Sequence, residues 1–159
     1  MAHPLELSYN WRMPVIVTTV GLVLCVGLLF RSEAVGWLSV ALVLIGVWAL
    51  FVVVVYLRTR AYLMVEGSTL TVRRVRAFHR IEAAQVQAMK EFLTPNGPSY
   101  RLIVRDDGGG TVRYVAPVAL LRGGHSTLFG WILTWAPEAE LDKGSRRTLE
   151  RLRIRGLVE

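Results

Sequence analysis

Residues 13–30 form a run of 18 positions without a charged side chain, and residues 34–57 a second run of 24. Arg31-Ser32-Glu33 separates them, and Arg12 and Arg58 bound the pair. A bilayer core of about 30 Å takes ~20 apolar residues when they coil as a helix, so each run is long enough to span one. The β-branched stretch 51–55 reads locally as a strand. In lipid a lone strand would leave its backbone groups unpaired, whereas a helix satisfies them internally, so the surroundings override the propensity. Two membrane helices are expected, at about 13–30 and 34–57. The three-residue linker makes them an antiparallel hairpin with both chain ends on one side.

After Arg60 the apolar runs give way to short alternations broken by turn residues. Residues 61–65 read as a strand and Glu66-Gly67-Ser68 as a turn. Residues 69–73 alternate polar and apolar with period two, as a half-buried strand does. Residues 78–81 and 86–93 read as further extended segments. Residues 94–99 read as a loop, since two prolines and Asn-Gly do not continue a ladder. Residues 100–105 and 111–115 flank the turn-forming 106–110 as a hairpin. The last element reads as a helix over about 137–155. Pro137 suits its first turn, and Glu138, Glu140 and Asp142 suit the positive end of its dipole. Leu141, Thr148, Leu149 and Leu152 recur at helical spacing, Arg146, Arg147, Arg151, Arg153 and Arg155 gather toward its end, and Gly156 suits its C′ position. Gly144 costs such a helix ~1 kcal/mol relative to alanine, which leaves a break there open. The chain is thus expected to hold a transmembrane helical hairpin over 1–60 and a mainly-β domain over 61–159. That domain has six or seven antiparallel strands and a C-terminal helix.

Composition sharpens this division. Of 159 residues 53% are hydrophobic and 19% charged, against about 25% charged in an ordinary soluble domain. The first 57 residues carry only Glu6, Arg12, Arg31 and Glu33, which cancel, so the whole net charge of +7 lies beyond them. A simple soluble enzyme and an acidic disordered chain are excluded. So is a disulfide-built secreted domain, because Cys25 is alone and sits in an apolar run, where it reads as a small packing residue. No GxxxG pair supports a helix-dimerisation motif.

Basic residues gather at the hairpin base: Arg12, Arg58 and Arg60, with Arg73, Arg74 and Arg76 beyond, while the linker's one arginine is offset by Glu33. This asymmetry predicts a multi-pass protein of the inner (cytoplasmic) membrane with both termini in the cytoplasm. Arg12, Arg58, Arg60, Trp11 and Tyr56 are expected as membrane anchors, with Trp37 and Tyr62 also near headgroup level. Trp48, in mid-run, is read as a packing or partner contact. A cleaved signal peptide is the alternative for the first run. Its leader carries no Lys or Arg, and no small-x-small site follows cleanly.

The stretch Tyr62-Leu63-Met64-Val65-Glu66-Gly67-Ser68-Thr69-Leu70-Thr71-Val72-Arg73, followed by Arg80-Ile81-Glu82 and Val86, resembles the bacterial PH-domain family. The layout over residues 10 to about 120 is similar to small actinobacterial membrane proteins that carry a transmembrane hairpin and one such domain. Glu82 departs from the proline frequent in the family at that place, and the aromatic segment 128–135 departs as well. The resemblance implies a PH-like fold of two near-orthogonal antiparallel sheets capped by the C-terminal helix. It also implies a binding or assembly module, and carries over no catalytic residue.

Arg73, Arg74, Arg76, His79 and Arg80 form the densest charge cluster. They are candidates for anionic lipid headgroups or another phosphate, since a cytoplasmic leaflet attracts juxtamembrane Lys and Arg by ~1 kcal/mol each. A solvated strand face that also serves as topology signal is the plainer reading. Nucleic acid is not expected as a partner, because membrane topology already accounts for the basicity and no recognition motif is present. Gly108-Gly109-Gly110 lacks the Gly-Lys-Ser/Thr ending and the following helix of a phosphate loop. Gly123-Gly124-His125 reads as a loop. His3, His79 and His125 are scattered and no cysteine lies beside them, so no metal is expected. Asp106 and Asp107 share a turn tip, and Ser126 has no nucleophile elbow. No catalytic constellation and no cofactor site emerges. Phe129, Trp131 and Trp135 lie in an eight-residue apolar stretch too short to span a bilayer. They are expected in the membrane interface, against a partner subunit's membrane-proximal surface, or packed between the barrel and the C-terminal helix. Two functions follow: an accessory or assembly subunit of a larger membrane complex, or a lipid-bound sensor or tether working through the strand arginines.

Overall fold

The computed structural model describes the chain except residues 1–4, 9, 33–35, 75, 76, 107 and 159 and the side chain of Arg74. The chain divides into two units, Tyr9–Arg60 and a second that joins Met1–Ser8 to Ala61–Glu159.

The first unit is a pair of antiparallel helices, α1 (Arg12–Arg31) and α2 (Trp37–Thr59). At 1.5 Å per residue they are about 30 and 35 Å long, and both are long and apolar enough to cross a membrane. Helix α2 starts at Trp37, three residues later than expected. Gly36 takes φ 83°, a left-handed conformation that glycine adopts without a Cβ penalty and that ends the link. Among their described residues only Ala41 is buried, so these helices are apolar almost all round and uncovered. Two contacts tie them together. Trp48 Nε1 donates to Thr19 Oγ1 at 3.1 Å, and that hydroxyl donates to Val15 O at 2.7 Å. Phe30 and Trp37 meet edge to face at 5.4 Å near the link.

The second unit is built on two sheets. Strands β1 (Leu63–Glu66), β2 (Thr69–Arg74) and β3 (Ala77–Glu82) form an antiparallel meander. Gly67, at φ 58°, turns β1 into β2. The second sheet has the order β6-β5-β4-β7, from β4 (Val86–Thr94), β5 (Gly97–Arg105), β6 (Thr111–Ala116) and β7 (Glu140–Leu141). Helices α3 (Gly124–Trp135) and α4 (Lys143–Ile154) complete the unit. Leu63, Leu70, Val72 and Ile81 of the first sheet share one core with Met89, Tyr100 and Leu102 of the second and with Leu128, Phe129, Leu149 and Leu152 of the helices. The described residues that precede the hairpin belong to this unit. Leu5 N donates to Leu63 O at 3.1 Å, Ser8 N to Leu120 O at 2.9 Å, and Arg122 N to Glu6 O at 2.8 Å.

Four expectations need correction. The loop over 94–99 shrinks to Pro95 and Asn96, because Gly97 takes φ 116° and Pro98 pairs with Leu93 in the ladder. Proline is tolerated where its missing N–H has no neighbour to serve, and β6 reaches β5 only from Tyr100 onward. Segment 128–135 is the body of helix α3, which begins at Gly124, so only Gly123, at φ 69°, keeps the loop character expected of 123–125. The last helix is shorter than 137–155. Glu140 and Leu141 pair parallel to Ala88 and Met89, which keeps the chain extended until Asp142. The final strand is thus parallel rather than antiparallel.

Asp142 then starts α4 as its N-cap, its side chain accepting from Ser145 N at 2.8 Å and also from Glu91 N at 3.0 Å. One carboxylate thereby caps the helix and holds it to β4. Burial raises its pKa, but the hydrogen bonds from Ser145 and Glu91 outweigh this and leave it below the ordinary 3.8. A carboxyl with a lowered folded pKa stabilises fully above the unfolded value and loses that contribution as pH falls through the folded one. Asp142→Ala is therefore expected to cost about 1–2 kcal/mol at neutral pH, and the gap to wild type should shrink below pH 3.8. Urea unfolding of the full chain in detergent, followed by hydrogen exchange of the α4 amides, reads both effects. Gly144 does not break α4. A Cβ there would lie 2.9 Å from Glu91 Cβ, so glycine lets the helix approach the sheet.

Candidate functional site

A strand sends alternate side chains to opposite faces, and this divides the basic cluster. Leu70, Val72 and Ile81 are buried on the inner face of the first sheet, and His79, paired with Val72, shares that face. Its ring lies 5.0 Å from that of Tyr114. Arg73 and Arg80 stand on the opposite face, paired with Phe78 and Thr71. The Arg73 guanidinium lies over the Phe78 ring at 4.9 Å, and Phe78 in turn meets Tyr62 edge to face at 5.0 Å. Arg73 Nε is buried without a hydrogen-bond partner among the described residues. The side chain of Arg74 and all of Arg76 lie outside the described residues. The five basic residues expected together thus do not all converge. An extended 78–81 puts His79 and Arg80 on opposite faces, and the register with β2 decides which of them shares a face with Arg73.

Arg80 instead joins a polar recess of about 150 Å³ with Gln85, Arg105, Asp106 and Tyr114. With its amide oxygen turned toward Arg105, Gln87 accepts from Nε and Nη2 at 3.1 and 3.2 Å, which steadies that guanidinium. Asp106 offsets part of the charge there.

A second recess, of about 180 Å³, opens where α3 begins and α4 ends. It is lined by Pro98, His125, Thr148, Arg151, Leu152 and Arg155. Beneath it Glu91 Oε2 accepts from Thr148 Oγ1 at 2.8 Å and from Tyr100 OH at 3.3 Å. Burial pushes the Tyr100 hydroxyl well above its ordinary value; Thr148 opposes this and the Glu91 charge adds to it. The His125 ring meets Tyr100 edge to face at 5.7 Å. Burial lowers its pKa, and the Glu91 carboxylate opposes that shift. Its Nδ1 is buried and has no hydrogen-bond partner among the described residues. Of these residues the sequence marked His125 as part of a loop and as a histidine too isolated for a metal, Thr148 and Leu152 as helix positions, and the arginines as a helix-end group. Thr148, Arg151 and Arg155 do sit at i, i+3 and i+7, one stripe of a helix. Nothing local links His125 to them.

The expected anchors lie at the ends of the hairpin helices. Arg12 lies 5.8 Å from the centre of the Trp11 ring, Arg60 is stacked 4.4 Å over Tyr56 and hydrogen bonded to its hydroxyl, and Arg58 is exposed in the last turn of α2. Trp48 faces α1 through its bond to Thr19. Beside it an apolar groove of about 340 Å³ runs between Leu22 and Cys25 of α1 and Leu44, Val47 and Phe51 of α2. Past Cys25 and Leu44 it continues toward Leu28 and Val40. The Thr18 hydroxyl on its wall is satisfied within its own helix by Pro14 O at 2.8 Å.

Of the aromatics expected at an interface, Phe129 and Trp131 are buried in the core, and only Trp135 stands open, at 49% exposure. Helical geometry is the reason. Leu128, Phe129, Trp131 and Ile132 fall on the face of α3 that the sheets cover, and Trp135 lies at its last residue. Among the described residues no three His, Cys, Asp or Glu side chains are grouped to hold a metal ion. Comparison of the chain with protein-family models, with curated proteins and with solved structures gives no match.

Proposed function

We propose that this chain is a non-catalytic membrane protein of the PH-like kind that serves as an accessory or assembly subunit of a larger membrane complex. The observation that carries this reading is the groove along the hairpin. Lipid tails are as apolar as leucine, so helices associate in a bilayer through close packing rather than through water exclusion. A concave apolar strip with no unpaired hydroxyl on its wall offers such packing to a partner's transmembrane helix. The two sheets followed by a C-terminal helix support the PH-like reading. The cytoplasmic placement of both termini is supported by the basic hairpin base. That both termini share one side, whichever it is, is also supported by the chain leaving the β unit after Ser8 and rejoining it at Ala61. The tether reading through the strand arginines gains less, because Arg73 is stacked on Phe78 and His79 faces the other way.

Leu44 lines both parts of the groove, so Leu44→Trp should fill it. Mild-detergent purification from the native membrane is expected to bring down one stoichiometric membrane protein that survives a high-salt wash. With Leu44→Trp its recovery should fall about tenfold while the chain stays in the membrane fraction. Recovery of the wild-type chain alone, or of a partner lost in salt but not with Leu44→Trp, would defeat the proposal.

A further inference from the structure

The inner face of the β4–β5 ladder carries the pairs Met89–Leu102, Glu91–Tyr100 and Leu93–Pro98 in succession. Helix α4 covers this face only in part. Ser145 reaches Met89 O and Thr148 reaches Glu91, and beyond them the helix closes over Pro98 with Arg151, Leu152 and Arg155. The face outruns the helix there, leaving Leu93 82% exposed across the ladder from Pro98. The recess of about 180 Å³ lies at this end, with His125 of α3 on its wall.

Its chemistry is one-sided. Arg151 and Arg155 are exposed, and neither guanidinium is paired with a carboxylate among the described residues. Glu91, the nearest acid below, is already engaged by Thr148 and Tyr100. Glu150 follows the outer, exposed side of α4. The start of α3 presents its positive dipole end here and the finish of α4 its negative one, so the two roughly offset and the guanidiniums decide the sign. Arginine's planar fork suits the tetrahedral oxygens of a phosphoryl group. His125 stands on the wall of the same recess.

We infer that this recess is a binding site for a phosphate monoester group, held by Arg151 and Arg155 with His125 at its wall. Pro98 and Leu152 give it an apolar rim. The same phosphoryl chemistry belongs to a soluble monoester and to the headgroup of phosphatidic acid. The site is separate from the strand cluster Arg73–Arg80 and does not depend on the partner proposed for the hairpin.

The full chain, reconstituted in phosphatidylcholine nanodiscs, is titrated with glycerol 3-phosphate by calorimetry. A second preparation tests retention of phosphatidic acid over phosphatidylcholine by native mass spectrometry. Saturable binding of glycerol 3-phosphate identifies a soluble source, and selective retention of phosphatidic acid alone identifies the lipid; either supports the site. Arg151→Gln and Arg155→Gln should each weaken the observed binding about tenfold. Arg113→Gln, which removes an equal charge from exposed β6, should change it less than twofold. Both α4 residues are exposed, and unchanged thermal unfolding of each variant confirms that fold is retained. Binding of neither probe overturns the proposal, as does an equal loss with Arg113→Gln, which would mean attraction to net charge alone.

Discussion

Replacing Trp131 with alanine should cost the β unit about 3–5 kcal/mol, the range for truncating a buried tryptophan. Trp131 is 3% exposed at the centre of α3, with Leu128 and Ile132 buried beside it. Its Nε1 donates to Gly67 O at 3.1 Å, so the same side chain fills the core and ties α3 to the β1–β2 turn. Alanine would remove both, leaving a cavity that a helix held at both ends closes only in part. Set against a total stability of ~5–15 kcal/mol for a typical domain, this is enough to populate unfolded chains at 37 °C. Trp131→Phe keeps most of the apolar volume and loses the hydrogen bond, whose carbonyl partner sits in an exposed turn; a loss of about 1 kcal/mol is expected. Trp135→Ser, at the open end of the same helix, should change stability by no more than ~0.5 kcal/mol. Thermal unfolding of the three full-length variants in detergent checks the series. Similar losses at Trp131 and Trp135 would contradict the arrangement of α3.

The second large effect is expected at Gly124. A Cβ added there would stand 2.5 Å from Val118 O and 3.0 Å from Val118 Cα. Those are backbone atoms of the one-turn 3-10 segment Val118–Leu120, so no side-chain rotation relieves the clash. The turn is also pinned from the other direction, because Leu120 O accepts from Ser8 N. Overpacking typically costs 1–3 kcal/mol, and a backbone clash at the first residue of a core helix belongs at or above the top of that range. Gly124→Ala should therefore lose about 3 kcal/mol or more. Gly130, six residues on in the same helix, is the matched control. A Cβ there meets nothing within 4 Å, so Gly130→Ala should gain up to about 1 kcal/mol from helix propensity. Opposite signs for the same substitution in one helix test the packing directly. Equal signs would mean that propensity, not the approach to Val118, governs the site.

The two proposals distribute function differently over the chain. The hairpin groove asks for an apolar partner in the bilayer, and the recess at α3 and α4 asks for a phosphoryl group. Their tests are separable. Leu44→Trp alters no residue of the recess, and Arg151→Gln alters no residue of the groove.

What the sequence determined by itself is what local signals carry. Uncharged runs of 18 and 24 residues need no tertiary partner to become helices, because an apolar setting leaves the backbone no other way to bond. Period-two alternation located β2 and Gly67 marked its turn; β1, β3, β4 and β6 lie within two residues of their expected bounds, whereas β5 begins three residues earlier than expected. Other features were decided only by tertiary contacts. Residues 128–135 are apolar at nearly every position, so periodicity could not tell a buried helix from a surface strip; burial of one face of α3 by both sheets decided it. The late start of α4 depends on Glu140 and Leu141 pairing with a strand some fifty positions earlier, and on Asp142 reaching Glu91. The recess likewise exists because α3 brings His125 to the stripe Thr148, Arg151 and Arg155 of α4. Such meetings join residues distant along the chain, and a pattern read along one segment carries no record of what folds against it.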